Sequence, residues 1–449
     1  MLKRKIDSIL EEWFNKDNHL PLIVRGARQV GKTESIRLFA RTHYTNVIEI
    51  NFALQKAYRT IFNEGYEVEL IIKNISLINP FLQFIPNQTL FFFDELQDCP
   101  DCATSLKSFA ENGRFDVICS GSLLGLHYSK IESNAVGYKE DFEMHSMDFE
   151  EFLWAKGYNI QIDNMLQHML TQTPFSQLEL DTYFSLFNDY MIVGGMPAVV
   201  NRYIEQRNFS GTLNLQRQLH RDYEEDITKY AVGMDKARVL AIYRHISTFL
   251  AQDNKKFQVS KIAHGARNRE YIGCVEWLQN AGIINTSYCL NTVELPLKGN
   301  YNPSNYRLYY RDTGLLIASL DEEAQVDLRE NKNFGTYKGA IYENIVSDML
   351  VKQGYQLYFY RNETSTLEMD FFVRDANSLI PLEVKAKDAA TASLNRLISG
   401  ETYPDIQYGI KLCRKNIGNN GKFITFPYFL TFLLKRYLQQ ANATVHHTI

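Results

Sequence analysis

The sequence predicts an α/β multidomain protein whose first part is built on a parallel sheet. Over roughly the first 120 residues, short apolar runs alternate with helical segments, an order typical of a parallel sheet covered by helices. The chain has 449 residues, of which 45% are hydrophobic. One hydrophobic core rarely serves so long a chain, so we expect roughly two to four domains.

The strongest local signal is the segment GARQVGKT, which lies between an apolar strand and a helical stretch. Its spacing, G-x-x-x-x-G-K-[ST], is typical of a phosphate-binding loop. The two glycines let the backbone wrap the phosphates, Lys32 meets their charge, and Thr33 offers a hydroxyl to Mg²⁺. We therefore expect ATP as a ligand of Gly26, Ala27, Arg28, Gln29, Val30, Gly31, Lys32 and Thr33.

A second apolar strand ends in two acids, in the sequence TLFFFDE from Thr89 to Glu95. Downstream of a phosphate loop, such a strand is typical of the one that holds Mg²⁺. Asp94 is predicted to bind the Mg²⁺ shell, and Glu95 to act as the general base that polarises the attacking water. The pair predicts hydrolysis of ATP as well as binding.

A further apolar strand, Phe115 to Cys119, is followed by the sequence SGS. ATPases of the AAA class place a polar sensor for the γ-phosphate at the carboxyl end of such a strand. Ser120 or Ser122 fits that position, and we take Ser120 as the candidate catalytic residue. A plain Ser-Gly turn is the alternative interpretation.

Charge and hydropathy limit the partners that the chain can have. The net charge of −4 gives no global attraction to nucleic acid, so any DNA binding must be local. The sequence contains no apolar run close to the ~20 residues that span a bilayer, and its charged, amphipathic start lacks a signal-peptide core. We expect a cytoplasmic protein without a membrane partner. Its six cysteines are scattered, and the close pair Cys99 and Cys102 is expected to be reduced.

The middle of the chain predicts two further modules. Residues 148–235 are mostly helical in pattern, with a break at Gly194–Pro197, and are expected to form a helical lid. Residues 236–325 give three helices and a strand, which suggests a winged helix. Arg267 and Arg269 open its third helix, where a DNA reader would contact a groove. The alternative is a structural module with two solvated arginines.

The carboxyl-terminal region, residues 332–449, holds a second constellation of charged residues. Glu343 lies on a predicted helix, Asp370 opens a strand, and Glu383 and Lys385 flank one residue of another strand. Period-2 geometry places Glu383 and Lys385 on one face, where a carboxylate can bind a metal while the ammonium orients water. We expect Asp370 and Glu383 as metal ligands, with Glu343 and Lys385 as catalytic residues. This order resembles the PD-(D/E)XK nuclease core, in which hard oxygen ligands bind Mg²⁺.

Together these motifs resemble one bacterial and archaeal family of AAA-type ATPases with an uncharacterised carboxyl-terminal region. The resemblance is carried by GARQVGKT, the Asp-Glu strand, SGS, YMIVGGMP, RLYYRDTGL, and GAIYEN with EMDFF and LEVKA. It implies an AAA-like P-loop domain over 1–147, a winged-helix segment, and a restriction-endonuclease-like α/β fold at the carboxyl terminus. Two functions remain open. In the first, ATP hydrolysis controls a metal-dependent nuclease or other DNA-processing domain. In the second, the chain is an ATP-dependent signalling or interaction protein whose nuclease-like domain is inactive.

One departure from the family concerns the arginine finger. No arginine occurs between Arg114 and Arg202, and the sequence has Gly137-Tyr138 where relatives tend to show Gly-Arg. Ring-type activation between subunits is therefore in doubt, and the oligomeric state is not set by the sequence. Lys139 is either a substitute for the finger or a solvated lysine.

Overall fold

The chain divides into two compact units, which we describe separately from a computed structural model. The first unit comprises residues 1–146 with 280–282, and the second comprises residues 147–279 with 283–449. No helix among the residues described below is long and apolar enough to cross a membrane. The structure describes residues 2–122, 135–231, 235–252, 255–263, 266–320, 322–330, 332, 336–364, 366–375, 377–386, 391–400 and 402–446.

The first unit is a parallel sheet with helices, as predicted. Its elements are α1 (Lys5–Phe14), β1 (Leu22–Gly26), α2 (Lys32–His43), β2 (Asn46–Asn51), α3 (Val68–Ile78), β3 (Thr89–Asp94), α4 (Pro100–Asn112), β4 (Asp116–Ser122) and β5 (Glu140–Glu143). The strands follow the order β2-β3-β4-β1-β5, and every pairing is parallel. Strand β4 includes the SGS sequence, so the predicted end at Cys119 is wrong because the ladder with β1 continues to Ser122.

An aromatic core fixes the position of these strands. All six residues of β3 are buried, as expected for a strand with both faces covered. Phe91 and Phe93 lie 5.1 and 6.1 Å from Phe109 of α4, measured between ring centroids. Since the strands are parallel, β1, β3 and β4 all end at one edge of the sheet, where Gly26 is paired with Ser122. That edge carries the predicted nucleotide site.

The second unit begins with five helices, in the segment where a helical pattern was predicted. Asp148 and Ser176 each cap a helix by accepting a hydrogen bond from the backbone three residues on. The predicted break is present, and Gly194, with φ of 72°, lies too close to the Asp312 carboxylate for any side chain. That these helices form a lid stays a prediction. These helices are α5 (Phe149–Ala155), α6 (Ile160–Thr171), α7 (Gln177–Val193), α8 (Pro197–Gln206) and α9 (Thr212–Tyr230).

Two further helices, a hairpin and two short helices follow. The elements are α10 (Lys236–Leu250), α11 (Ile272–Asn280), β6 (Ile284–Leu290), β7 (Tyr301–Tyr310), α12 (Thr313–Ala318) and α13 (Glu322–Arg329). The predicted third helix starts later than expected, because a 3-10 turn, Asn268–Glu270, precedes α11. Arg267 and Arg269 are exposed and lie before α11 instead of on its first turn. The winged helix stays a prediction.

The carboxyl-terminal region adds two sheets. Its elements are α14 (Thr336–Lys352), β8 (Leu357–Arg361), β9 (Glu368–Met369), β10 (Phe371–Arg374), β11 (Leu379–Val384), α15 (Ala392–Ser399), β12 (Gly409–Cys413), β13 (Gly418–Asn419), β14 (Phe423–Pro427) and α16 (Leu434–His446). One sheet has the order β10-β11-β12-β14-β13, and the other has the order β7-β6-β8-β9. The second sheet joins strands from both sides of the predicted border between residues 325 and 332. The domain borders themselves remain predictions.

Candidate active site

The phosphate loop connects β1 to α2 through a backbone that only a few residue types tolerate. Gln29 and Gly31 have φ of 62° and 99°, in the left-handed region that disfavours side chains. A Cβ atom added to Gly26 would lie 2.2 Å from the carbonyl oxygen of Met144, so only glycine fits. Arg4, which the sequence did not suggest, donates to the Val30 carbonyl at 2.7 Å. The loop is therefore held from outside as well as by its own glycines.

Lys32 is buried inside this loop. Its ammonium donates to the carbonyl oxygens of Gly26 at 3.0 Å and Ala27 at 2.8 Å. Burial lowers the pKa of Lys32 to about 8, although the charges of Glu95 and Asp94 oppose that effect. A buried cation whose hydrogen bonds go to neutral carbonyls gains stabilisation from an anion, so the loop favours a phosphate ligand.

The Asp94 carboxylate lies at the centre of the polar groups around the loop. The Thr33 hydroxyl is 3.3 Å from each of its oxygens, and the Asn51 amide donates to it at 3.0 Å. Hydroxyl and carboxylate oxygens are hard donors of the kind that Mg²⁺ prefers, so Thr33 and Asp94 fit that ion. Ser120 is fully buried and its hydroxyl donates to Asp94. Its role as a phosphate sensor stays a prediction.

Glu95 follows Asp94 directly, at the end of β3. Its backbone is left-handed, with φ of 60° and ψ of 50°. The Gln97 amide donates to the Glu95 carboxylate, and Gln97 in turn accepts a hydrogen bond from the backbone N–H of Ser122 at 3.0 Å. The carboxylate is half-buried beside the loop. Its role as general base is untested.

Lys139 is not solvated. Its side chain is 8% exposed and its ammonium forms an ion pair with Asp141. Asp141 also pairs with Arg25 of β1. A lysine held in this way lacks the exposure that a finger reaching into a neighbouring subunit needs.

In the second unit, the four predicted residues of the nuclease-like constellation come together. The Lys385 ammonium pairs with the Glu383 carboxylate at 2.8 Å. The Asp370 carboxylate accepts a hydrogen bond of 2.8 Å from the backbone N–H of Val384, the residue between Glu383 and Lys385 in the sequence. Burial lowers the pKa of Lys385, but the hydrogen bond that Lys385 donates to Glu383 and the charges of Asp370 and Glu343 raise it overall. Glu343 lies on α14 and is 4% exposed.

Two cations that sequence reasoning missed lie among these acids. The Arg307 guanidinium is 1% exposed, and its Nη1 atom is 3.9 Å from both Glu343 and Asp370. Arg307 also pairs with Glu368 and lies 4.1 Å above the ring centroid of Phe359. Its position in the RLYYRDTGL motif was the available signal, because a charged residue in a strand of buried aromatics needs a partner.

The second missed cation is Lys255, whose ammonium forms an ion pair with Glu343. Lys255 precedes an irregular segment after α10, and its side chain is 13% exposed. The Tyr309 hydroxyl lies 3.4 Å from the same glutamate. Nothing in the local sequence distinguishes this lysine from the others of the chain.

These cations change the charge balance expected for the site. Arg307 and Lys255 face these acids in addition to Lys385. Burial and the charge of Glu343 raise the pKa of Asp370 to about 7, against the effect of both cations. Among the described residues, no group of three or more His, Cys, Asp or Glu side chains is placed to hold a metal ion. As arranged, protein cations hold Glu343 and Asp370, so a metal ion could bind these acids only by displacing one of the cations.

Comparisons with known proteins agree with the geometry of the first unit. Residues 18–153 match a family described as AAA domain. The first unit thus contains an AAA-type P-loop domain. Residues 185–326 and 338–429 each match a domain of unknown function, DUF8612 and DUF4143.

Whole-chain similarities are weaker. An uncharacterized protein of Methanocaldococcus jannaschii is 22% identical over 386 residues, which cover 81% of this chain and 76% of that protein. A solved Walker-type ATPase of Pyrococcus abyssi is 15% identical, with a TM-score of 0.44 over 71% of this chain and 96% of that one. The ORC2 protein of Aeropyrum pernix, solved in ADPNP-ADP complexes, is 11% identical, with a TM-score of 0.36 over 73% and 93%.

Proposed function

We propose that this protein binds ATP with Mg²⁺ and hydrolyses it at the loop of the first unit. The observation that carries the proposal is the juxtaposition of Thr33, Asp94 and the buried Lys32 at one edge of the sheet. The hydroxyl and the carboxylate provide oxygens for the cation, and the ammonium provides charge for the phosphates. Bound Mg²⁺ would neutralise the charge that develops on the phosphates.

The remaining groups of the site bind and orient the reactants. The backbone N–H groups of the loop and the amino end of α2 bind the phosphate oxygens. Lys32 exchanges its two carbonyl partners for phosphate. Glu95 accepts a proton from the attacking water, and Ser120 holds Asp94 from the side of β4.

Two substitutions test this proposal. Lys32→Ala should abolish nucleotide binding, because it removes the buried charge that meets the phosphates. Glu95→Gln should keep nucleotide binding but slow turnover by ~10²-fold or more, as expected for loss of a general base. Lys107→Ala, a lysine of α4 that is 50% exposed, serves as the control and should behave as wild type. Equal turnover by Glu95→Gln and wild type would show that the base assignment is wrong.

A second candidate function is metal-dependent phosphodiester hydrolysis in the second unit, controlled by ATP. Convergence of Glu343, Asp370, Glu383 and Lys385 favours it, as does the second carboxylate oxygen of Glu383. That oxygen is buried and has no hydrogen-bond partner among the described residues. DNA would be contacted through the exposed Arg267 and Arg269. The alternative is an ATP-dependent interaction protein with an inactive nuclease-like domain.

The experiment that separates these two is calorimetric titration of Mn²⁺ into the Lys32→Ala protein, with a nuclease assay on single- and double-stranded DNA. The substitution disables the nucleotide site, and the comparison with Asp370→Asn assigns bound metal to the second unit. Metal binding that disappears in Asp370→Asn, together with cleavage, supports the nuclease. Absence of both leaves the interaction protein.

A further inference from the structure

The Gln97 side chain connects two parts of the nucleotide site that the sequence treats separately. Gln97 belongs to the 3-10 helix Leu96–Asp98, which follows Glu95 directly. Its amide nitrogen donates to the Glu95 carboxylate, and its amide oxygen accepts from the backbone N–H of Ser122 at 3.0 Å. The side chain thus spans from the predicted base to the end of β4.

The backbone around Gln97 is fixed on both sides. Leu96 is 1% exposed and belongs to the core of the sheet. Asp98 pairs with Arg59 at 3.0 Å, and Arg59 donates to the Phe52 carbonyl at 2.8 Å. These contacts fix the backbone from which the Gln97 amide reaches the carboxylate.

Glu95 needs such support, because its left-handed backbone is unfavourable for a residue with a side chain. The strain costs on the order of 1 kcal/mol and persists only where neighbouring groups maintain it. A neutral amide suits this place, because it donates to a carboxylate and accepts from an N–H at the same time. A glutamate in place of Gln97 could accept from the N–H but could not donate to the carboxylate.

We propose that Gln97 is a positioning residue of the ATPase site, which orients the Glu95 carboxylate relative to the end of β4. The inference rests on the proposed ATP hydrolysis and assigns a role to a residue outside both nucleotide-binding motifs. Gln97 does not touch the reacting atoms. It acts through Glu95, by holding the carboxylate as a hydrogen-bond acceptor at a fixed distance from the strand that ends at Ser122.

The test compares Gln97→Leu and Gln97→Glu in the full chain, measuring ATP affinity, kcat, KM and the pH profile of kcat. A hydrogen bond to a charged group is worth about 1.5–3 kcal/mol. Gln97→Leu should therefore lower kcat by roughly 10- to 100-fold, with ATP affinity unchanged. Gln97→Glu places a second carboxylate beside Glu95, so the acid limb of the profile should move to higher pH. Gln88→Leu, at the other end of β3, is the control and should match wild type.

Several outcomes would overturn the inference, and they are distinct from failure of the proposed function. If Gln97→Leu keeps the wild-type kcat while Glu95→Gln loses it, ATP hydrolysis stands and Gln97 has no positioning role. If Gln97→Leu weakens ATP binding in parallel with thermal stability, its role is structural only. If the wild-type protein does not hydrolyse ATP, the proposed function fails and the inference fails with it.

Discussion

Replacing Asp370 with Asn should remove a pH dependence of stability from the second unit. In the folded protein, burial and the charge of Glu343 raise the pKa of Asp370 from its ordinary 3.8 to about 7. Between these two pH values the folded state binds more protons than the unfolded state. The contribution of Asp370 to stability is therefore full below pH 4 and is lost as pH rises through 7.

The size of the effect follows from the same pKa change. Each pH unit between the two pKa values is worth about 1.4 kcal/mol, which gives an upper bound of about 4 kcal/mol. The Asp370 side chain is 14% exposed, so water relieves part of this penalty. We expect Asp370→Asn to gain roughly 2–4 kcal/mol relative to wild type between pH 4 and pH 8, because asparagine stays neutral throughout.

Urea unfolding followed by tryptophan fluorescence measures the difference. Trp154 and Trp277 report on the second unit, and Trp13 on the first. Subtracting wild type from variant at each pH cancels titrating groups that do not interact with Asp370, including Asp348, whose pKa burial also raises to about 7. A stability difference that stays constant from pH 4 to pH 8, or one that falls as pH rises, would refute a raised pKa at Asp370.

Two further predictions concern the cations of the second unit. Replacing Arg267 and Arg269 with Ala should weaken duplex binding and reduce the dependence of log K on log salt by about one for each lost phosphate contact. An unchanged salt slope, or no DNA binding by wild type, would make both arginines structural. Lys255→Met should strengthen Mn²⁺ binding in calorimetry, because it leaves Glu343 without its ammonium partner. The exposed Lys298 is the matched control, and equal Mn²⁺ affinity of the Lys255→Met and Lys298→Met variants would show that Lys255 does not compete with metal.

The parts of the fold that the sequence predicts are those encoded locally. The phosphate loop and the acidic strand are continuous segments whose chemistry depends on residue order, and both lie where expected. The length of β4 was underestimated because a serine and a glycine usually end a strand, whereas here the ladder with β1 carries Ser120 and Ser122 into the core. Local propensity yields to pairing in such a case.

The parts that could not be predicted depend on contacts between distant segments. Lys255 and Glu343 are separated by 88 residues, and Arg307 and Glu368 by 61. The hydrophobic periodicity of a sequence does not indicate ion pairs between segments so far apart. The pairing of β6 with β8 also joins distant segments, and it crosses a predicted domain border. The local sequence shows where a segment ends but not which strand lies beside it in the sheet.

The phosphate loop and the acidic cluster of the second unit differ in how their buried charges are balanced. This difference decides which ligand each site is expected to bind without a change in its charge pairs. At the loop, the Lys32 ammonium bonds to two neutral carbonyls, and burial lowers its pKa to about 8, so an anionic ligand improves its environment. In the second unit, the cations Lys255 and Arg307 already face Glu343. That cluster can bind a metal only by displacing a cation of the protein, which costs part of the binding energy. ATP binding is therefore expected without any rearrangement of charges, whereas nuclease activity requires one, and Lys255→Met removes one of the two cations that compete with a metal.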